Sequence, residues 1–296
     1  MSESLINFLC RILQMLPMES LQFNFMQMAL LTVLAAAPLM AAAGIQVVNC
    51  RMAFFADAVS HSAFAGAALG LLLFGAHGPL WTMPLLAVLI ACAVMWLKRA
   101  TKLSADTVIG VFFALVISIG LLLLSRQPSL ARLSQMFIFG DILTVQHQDI
   151  TILLLLDVVY AVFTLFFCNT LQIAAVDEDL ASAHNMPVTA ANYLNVILLA
   201  MIVIMSIKAI GVLLVSAMLI VPAAAARNFA RRAGSVYFYA VIIGLISGIT
   251  GLFISAQEWA DTAAGATITA VNCLIFAISC AVKFLRNALF SIKVGD

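Results

Sequence analysis

Long apolar stretches separated by short polar segments make up most of the chain. A helix that crosses the hydrocarbon core needs about 20 mostly apolar residues. Nine stretches fit that length: residues 25–50, 54–74, 80–97, 107–125, 150–171, 188–207, 209–226, 233–257 and 262–282. Only a few residues around Lys208 separate two of them, so eight full crossings fit equally well. The pattern predicts an all-α, polytopic helical membrane protein with eight to nine transmembrane helices.

Composition and charge agree with a membrane protein. The 296 residues are 65% hydrophobic and 9% charged, and their mean hydropathy is +1.16, whereas soluble globular domains carry about 25% charged residues. These values exclude a soluble enzyme. The formal net charge of +1 lacks the basic excess that nucleic-acid binding requires, so we expect no nucleic-acid partner and a surface that contacts membrane lipid.

The distribution of basic residues predicts the orientation. Lys and Arg concentrate on the cytoplasmic side of membrane proteins. With the N-terminus outside and nine spans, ten of the 14 basic residues fall inside: Arg51, Lys98, Arg99, Lys102, Arg227, Arg231, Arg232, Lys283, Arg286 and Lys293. We therefore expect the C-terminus in the cytoplasm. Residues 1–24 are amphipathic and contain acidic Glu3 and Glu19, which favours an interfacial segment over a signal peptide. We divide the rest of the chain into a transmembrane domain at 25–287 and a cytoplasmic tail at 288–296.

The first candidate site is the pair Asp57 and His61 at the start of the second span. Ionisable groups inside a membrane are costly and mark pathways or paired sites. Residues four apart share a helix face, so these side chains form a two-ligand half-site, and a carboxylate with a neutral imidazole suits zinc or manganese. Two copies across a symmetry axis would supply four ligands. The alternative is structural: Asp57 caps the helix and His61 bonds to a neighbouring carbonyl.

The second candidate is a predicted cytoplasmic segment at 177–187. Three acids begin it, Asn185 tolerates a left-handed cap, and Pro187 follows. These features predict a short helix between two spans. Such a helix is what a membrane subunit presents to a motor protein, although an ordinary loop helix fits the same pattern. The chain lacks the phosphate-binding pattern G-x-x-x-x-G-K-[ST], so any ATP hydrolysis takes place on another chain and this chain is not an enzyme.

Three further residues are possible pathway positions. Ser216 and Pro222 lie in an apolar run of small residues, which is typical of spans kinked around a cavity and also of plain helix packing. Asp157 interrupts another span. A hydrogen-bonded or neutral Asp between helices explains it equally well. Asp57, His61 and Asp157 together would also fit the relay of a proton-driven secondary metal transporter, which we keep as the alternative function.

Several motifs in order resemble the permease subunit of the zinc and manganese ABC importer family. They extend along nearly the whole chain from about residue 21, and the details are closest to the zinc-uptake members. The matching segments are Arg51 to His61, Asp106 to Gly110, Phe139 to Val145, Asp177 to Ala181, Ser216 to Arg227 and Ala264 to Thr267.

The resemblance implies a type II ABC importer-like permease in a bacterial inner membrane. Its expected partners are a second permease copy, two ATPase subunits that bind ATP, and an extracytoplasmic metal-binding protein. No cofactor is expected to stay bound; the cargo is Zn²⁺ or Mn²⁺. By the same resemblance Asp57 and His61 are the metal ligands, and 177–187 is the coupling helix. The coupling residues would be Asp177, Glu178, Leu180, Ala181, His184 and Asn185.

The chain departs from the family pattern at four residues. Phe64 and Ala65 stand where many members have Leu-Pro, Asn185 replaces a common glycine, and Ala56 replaces a frequent glycine before the Asp. None of these changes removes a ligand. They alter the expected local geometry of the site and leave the predicted function unchanged.

Overall fold

The computed structural model describes residues 2–14, 19–101, 103–126, 142, 145–230, 232–257 and 262–294. Apart from short connections, these residues are helical. The helices are α1 (Ser2–Gln14), α2 (Asn24–Asn49), α3 (Phe55–Phe74), α4 (Pro79–Thr101), α5 (Ala105–Arg126), α6 (His147–Val176), α7 (Glu178–Ala183), α8 (Val188–Ile210), α9 (Val212–Phe229), α10 (Ala233–Ser255) and α11 (Ala264–Val294). Short 3₁₀ turns occupy Glu19–Gln22 and Gly75–His77.

Nine helices in the described part of the chain, α2 to α6 and α8 to α11, are long and apolar enough to cross a membrane. This agrees with the higher of the two predicted counts. Helix boundaries follow local chemistry: Pro79 opens α4, where its missing N–H costs nothing, and Gly211 alone separates α8 from α9. Gly211 has φ 81°, a conformation that favours glycine.

Helix α2 is the central element of the bundle. It packs against α6, α8, α9 and α10, and most of its length is buried. Its sequence is rich in alanine. At Gly44 a side chain would overlap the backbone carbonyl of Leu219 on α9. Small residues let helix backbones approach closely inside a membrane. The alanine-rich sequence of α2 thus explains why four helices can surround it.

A second group of helices surrounds α3. It packs against α4, α5, α8 and α9. The approach of α4 is close because Gly66 faces the backbone of Met83, and Thr82 donates a hydrogen bond to the Gly66 carbonyl (2.7 Å). Helix α3 is therefore held on several sides while one stripe of it stays partly open.

One ion pair joins the start of α6 to the end of α8. Lys208 Nζ lies 3.3 Å from Oδ1 of Asp149, and Asp149 is only 8% exposed. The other carboxylate oxygen accepts the backbone N–H of Gln146 and so caps α6 (3.1 Å). The sequence pattern places Lys208 between two spans and gives no indication of this partner.

The first helix lies in the predicted N-terminal segment, and the last helix extends into the predicted C-terminal tail. Helix α1 packs against α2 and α6 through buried Ile6 and Cys10, and it exposes Phe8 and Ile12. Helix α11 continues to Val294, past the predicted end of the last span. The domain limits at 24 and 287 stay a prediction.

We predict that Gly44→Ala destabilises the bundle. The added methyl group would overlap the Leu219 carbonyl, and such overpacking costs about 1–3 kcal/mol. The thermal unfolding midpoint of the detergent-purified protein should fall. Gly110→Ala on α5 is the matched control, because no atom lies within 4 Å of the added carbon. Equal midpoints for the two variants would contradict the close α2–α9 contact.

Candidate metal site and coupling helix

Asp57 and His61 lie on one partly open stripe of α3. Asp57 is in the first turn of the helix and His61 follows one turn later. Together with Phe64, both residues are half-buried, whereas their helix neighbours Ala56 and Ala63 are fully buried. Spacings of four and three residues keep a stripe on one face. The pair therefore lies on a face of α3 that the described residues leave partly uncovered.

Helix α9 fixes the position of the carboxylate. Ser216 Oγ donates a hydrogen bond of 2.5 Å to Oδ1 of Asp57. Ser216 is also half-buried, and Leu213, one turn before it, is exposed. The open stripe of α3 and that of α9 thus meet at this hydrogen bond. Ser216, predicted as a pathway residue, is the structural partner of Asp57.

The imidazole of His61 is held by an aromatic contact. Its ring meets Phe113 of α5 edge-to-face, with centroids 5.1 Å apart and planes at 81°. Within the described ranges neither ring nitrogen of His61 makes a hydrogen bond, so the structural alternative, a bond to a carbonyl, is not formed there. The sequence offered no signal for Phe113, because many other apolar residues share its helix.

One chain supplies a half-site. Across the described ranges, no three His, Cys, Asp or Glu side chains lie close enough together to hold a metal ion. A carboxylate oxygen and an imidazole nitrogen are nevertheless suitable zinc ligands. The described residues therefore supply two of the four donors that a tetrahedral zinc site takes.

The remaining pathway candidates lie elsewhere. Asp157 is on α6, which packs against α2 and α8, and it lines a cavity that no α3 residue lines. Pro222 is buried in α9, and its ring points towards Gly244 of α10. The structure brings Ser216 to Asp57 and does not bring Asp157 or Pro222 to the pair.

The predicted short helix is present as α7, between α6 and α8. The Asp177 carboxylate accepts the backbone N–H groups of Asp179 and Leu180, each at 3.0 Å, and so caps the helix. Asn185 has φ 55°, the left-handed conformation expected of it. The sequence signals for the beginning and end of this helix are therefore correct.

Of the six candidate coupling residues, one is buried and the other five are exposed. Ala181 is fully buried and faces the bundle. Arg99 of α4 forms an ion pair with Glu178, with Nη2 and Oε1 3.0 Å apart. The other candidates are exposed: Asp177, Leu180, His184 and Asn185. Helix α7 is thus attached to α4 and presents a polar surface with one apolar side chain.

Comparison with known sequences identifies the family. The ABC 3 transport family profile matches residues 22–283. The chain belongs to the ABC 3 transport family. It is a membrane permease of an ABC transporter, which confirms the predicted class and the predicted all-helical fold.

The proton-driven alternative is therefore wrong. Family membership assigns the energy source to an ABC system. The geometry agrees, because the three residues of the supposed relay, Asp57, His61 and Asp157, do not form a cluster.

Individual relatives cover most of the chain. The zinc uptake membrane protein ZnuB of Haemophilus influenzae is 32% identical over 87% of this chain and 97% of its own length. The manganese import permease ScaB of Streptococcus gordonii is 30% identical over 87% of this chain and 91% of its own. Among solved structures, PsaBC from Streptococcus pneumoniae superposes with a TM-score of 0.73 at 29% identity, covering 87% of this chain and 91% of that one.

We predict that Ser216→Ala weakens metal binding to the Asp57 and His61 pair. Removing a group that orients a ligand costs about 10–100-fold in metal affinity. Calorimetric zinc titration of the purified permease measures the change. Ser216→Thr keeps the hydroxyl and should restore binding. Ser118→Ala is the matched control, because its hydroxyl is exposed and bonds only to the Ala114 carbonyl of its own helix. Unchanged affinity in Ser216→Ala would show that the hydrogen bond does not serve the ligand.

Proposed function

We propose that this chain is the permease of an ATP-driven zinc importer and that the ion passes between two copies of the chain. One observation carries the proposal: Asp57, oriented by Ser216, and His61 face a stripe that their own chain leaves partly uncovered. In a permease, a polar pair on such a stripe fits an intersubunit pathway, since an unpaired ionisable group facing lipid would be costly.

A homodimer completes the coordination. Each copy contributes one carboxylate oxygen and one imidazole nitrogen, so two copies provide four donors. Four is the number that zinc takes in tetrahedral sites. A transport site also has to release its ion, and a site assembled across an interface can lose half of its ligands when the two copies move apart.

The donor set favours zinc over manganese. The relatives include both a zinc uptake protein and manganese import permeases. Manganese prefers six mostly oxygen ligands, while a set of two nitrogens and two oxygens suits four-coordinate zinc, which also binds more tightly to a given site. We therefore assign zinc as the preferred cargo and manganese as the weaker one.

Two ATPase subunits dock on the α7 helices. Helix α7 is short, capped at both ends and exposed on one side, and Leu180 is its exposed apolar residue. An apolar anchor surrounded by polar groups is typical of a small protein interface. This assignment makes 177–187 the coupling segment and places ATP on the partner chains, with no cofactor held by the permease.

The assignment of α7 to the ATPase also sets the orientation of the chain in a bacterial inner membrane. Helix α7 and the basic ends of α4 and α9 lie in the cytoplasm, which agrees with the distribution of Lys and Arg. The N-terminus and α1 then lie outside, where an extracytoplasmic metal-binding protein delivers the ion. The permease domain extends over 25–287.

The permease residues act by binding, orienting and releasing the ion. Ser216 holds Oδ1 of Asp57, so that the other carboxylate oxygen faces the pathway beside the His61 imidazole. Phe113 restricts rotation of that ring. The chain makes and breaks no covalent bond, and release follows when ATP-driven movement separates the two half-sites.

We predict that His61→Gln and Asp57→Asn each abolish most ATP-dependent zinc uptake. Proteoliposomes that contain the permease with its ATPase and zinc-binding protein measure the uptake, and manganese serves as the competing ion. Each variant loses one of the two ligands per copy, so the assembled site falls from four donors to two. His77→Gln is the matched control, because His77 is exposed at the far end of α3. Chromatography that shows an intact dimer excludes misfolding.

Zinc binding by the wild-type permease across pH 5 to 8 tests whether His61 ligates the ion. A protonated imidazole cannot ligate, so wild-type affinity should fall as the pH decreases through the range in which histidine takes up a proton. A zinc affinity that does not change with pH would contradict ligation by His61. In the uptake experiment, faster uptake of manganese than of zinc would contradict the assigned cargo.

We predict that Leu180→Ala weakens ATPase binding at least about tenfold, because central apolar anchors contribute disproportionately to small interfaces. Affinity between the purified permease and its ATPase measures the loss. Leu73→Ala is the matched control, since Leu73 is equally apolar and exposed at the opposite end of the bundle. Zinc binding should stay unchanged in both variants. Full ATPase affinity in Leu180→Ala would exclude α7 as the docking element.

A further inference from the structure

A groove follows α2, α6 and α10 on a part of the molecule that does not hold the metal pair. It consists of two successive cavities of about 480 and 490 Å³. Neither cavity is lined by α3 or α5. From Asp157 to Val176, the α6 residues along the groove rise about 29 Å at 1.5 Å per residue. One leaflet provides roughly half of the 30 Å hydrocarbon core, so the groove is longer than one lipid tail.

One end of the groove carries a basic side chain on a largely apolar wall. It lies where α2 and α6 end and α10 begins, so it is at a membrane surface. Arg227 lines this cavity, is exposed, and donates a hydrogen bond to the Asn49 side chain. Across the residues that the structure describes, Arg227 forms no ion pair with an acid. Gln172 adds an amide to the same wall.

The other end of the groove is apolar over most of its wall. Pro38, Ala42, Ala161 and Leu165 line it. Two of its polar groups are already satisfied internally: Thr164 donates to the Tyr160 carbonyl (2.8 Å), and Tyr237 accepts from Gln46 (2.7 Å). Asp157 also lines this end, about four helical turns before Gln172 of the basic end on α6.

We propose that this groove binds an anionic phospholipid, with its phosphate at Arg227 and one acyl chain along α2 and α6. The charge at one end and the apolar wall beyond it match the two parts of such a lipid. Leu180 of α7 also lines the basic cavity, so the bound head group would touch the helix that we assign to the ATPase. The lipid site itself does not depend on that assignment.

Native mass spectrometry of the purified permease tests the proposal, with phosphatidylglycerol and phosphatidylcholine added in equal amounts. We expect preferential retention of phosphatidylglycerol. Arg227→Gln should lower that retention about fivefold, as expected for one basic residue near an anionic head group. Arg232→Gln is the matched control, because Arg232 is exposed at the start of α10 and lines neither cavity.

A second pair of variants tests the apolar end. Ala161→Phe fills the groove and should lower retention of both lipids, whereas Val162→Phe, at an adjacent exposed position outside the groove, should not. Equal loss in Arg227→Gln and Arg232→Gln would indicate diffuse surface attraction and overturn the proposal. Loss of ATPase binding in Arg227→Gln with unchanged lipid retention would assign the basic end to the ATPase instead. Zinc binding at Asp57 and His61 is expected to persist throughout.

Discussion

Helices in a bilayer gain little by hiding apolar surface from one another, because lipid tails are equally apolar. Their association depends on how closely the backbones can approach and on the few polar contacts between them. In this protein the approach of α9 to α2 at Gly44 satisfies that requirement. Helix α9 carries Ser216, so the packing at Gly44 also determines where the hydroxyl that orients Asp57 lies.

The cost of polar groups in lipid explains how the remaining ones are arranged. Asp149 is paired with Lys208 and caps α6, and Gln46 bonds to Tyr237. At the candidate site, one oxygen of Asp57 has a partner among the described residues, and His61 has only an aromatic contact. A half-satisfied pair on a partly open stripe fits the intersubunit ion site that we propose.

Helix α7 and the Asp57 and His61 pair are connected through contiguous packing. Glu178 of α7 pairs with Arg99 of α4, and α4 packs tightly along α3 where Gly66 meets Met83. Helix α3 carries Asp57 and His61. A displacement of α7 would therefore have a short physical path to Asp57 and His61, through two helices that already touch.

Sequence alone determined the class of protein, a count of eight to nine spans, the α7 helix with its Asp177 and Asn185 caps, and the Asp57 and His61 pair. These follow from local rules: span length, helix periodicity and the capping preferences of particular side chains. Tertiary structure decided the partners: Ser216 for Asp57, Phe113 for His61, Asp149 for Lys208, and the separation of Asp157 from the pair. Such contacts join residues far apart in the chain, and in a uniformly apolar helix no periodic pattern indicates which face meets which neighbour.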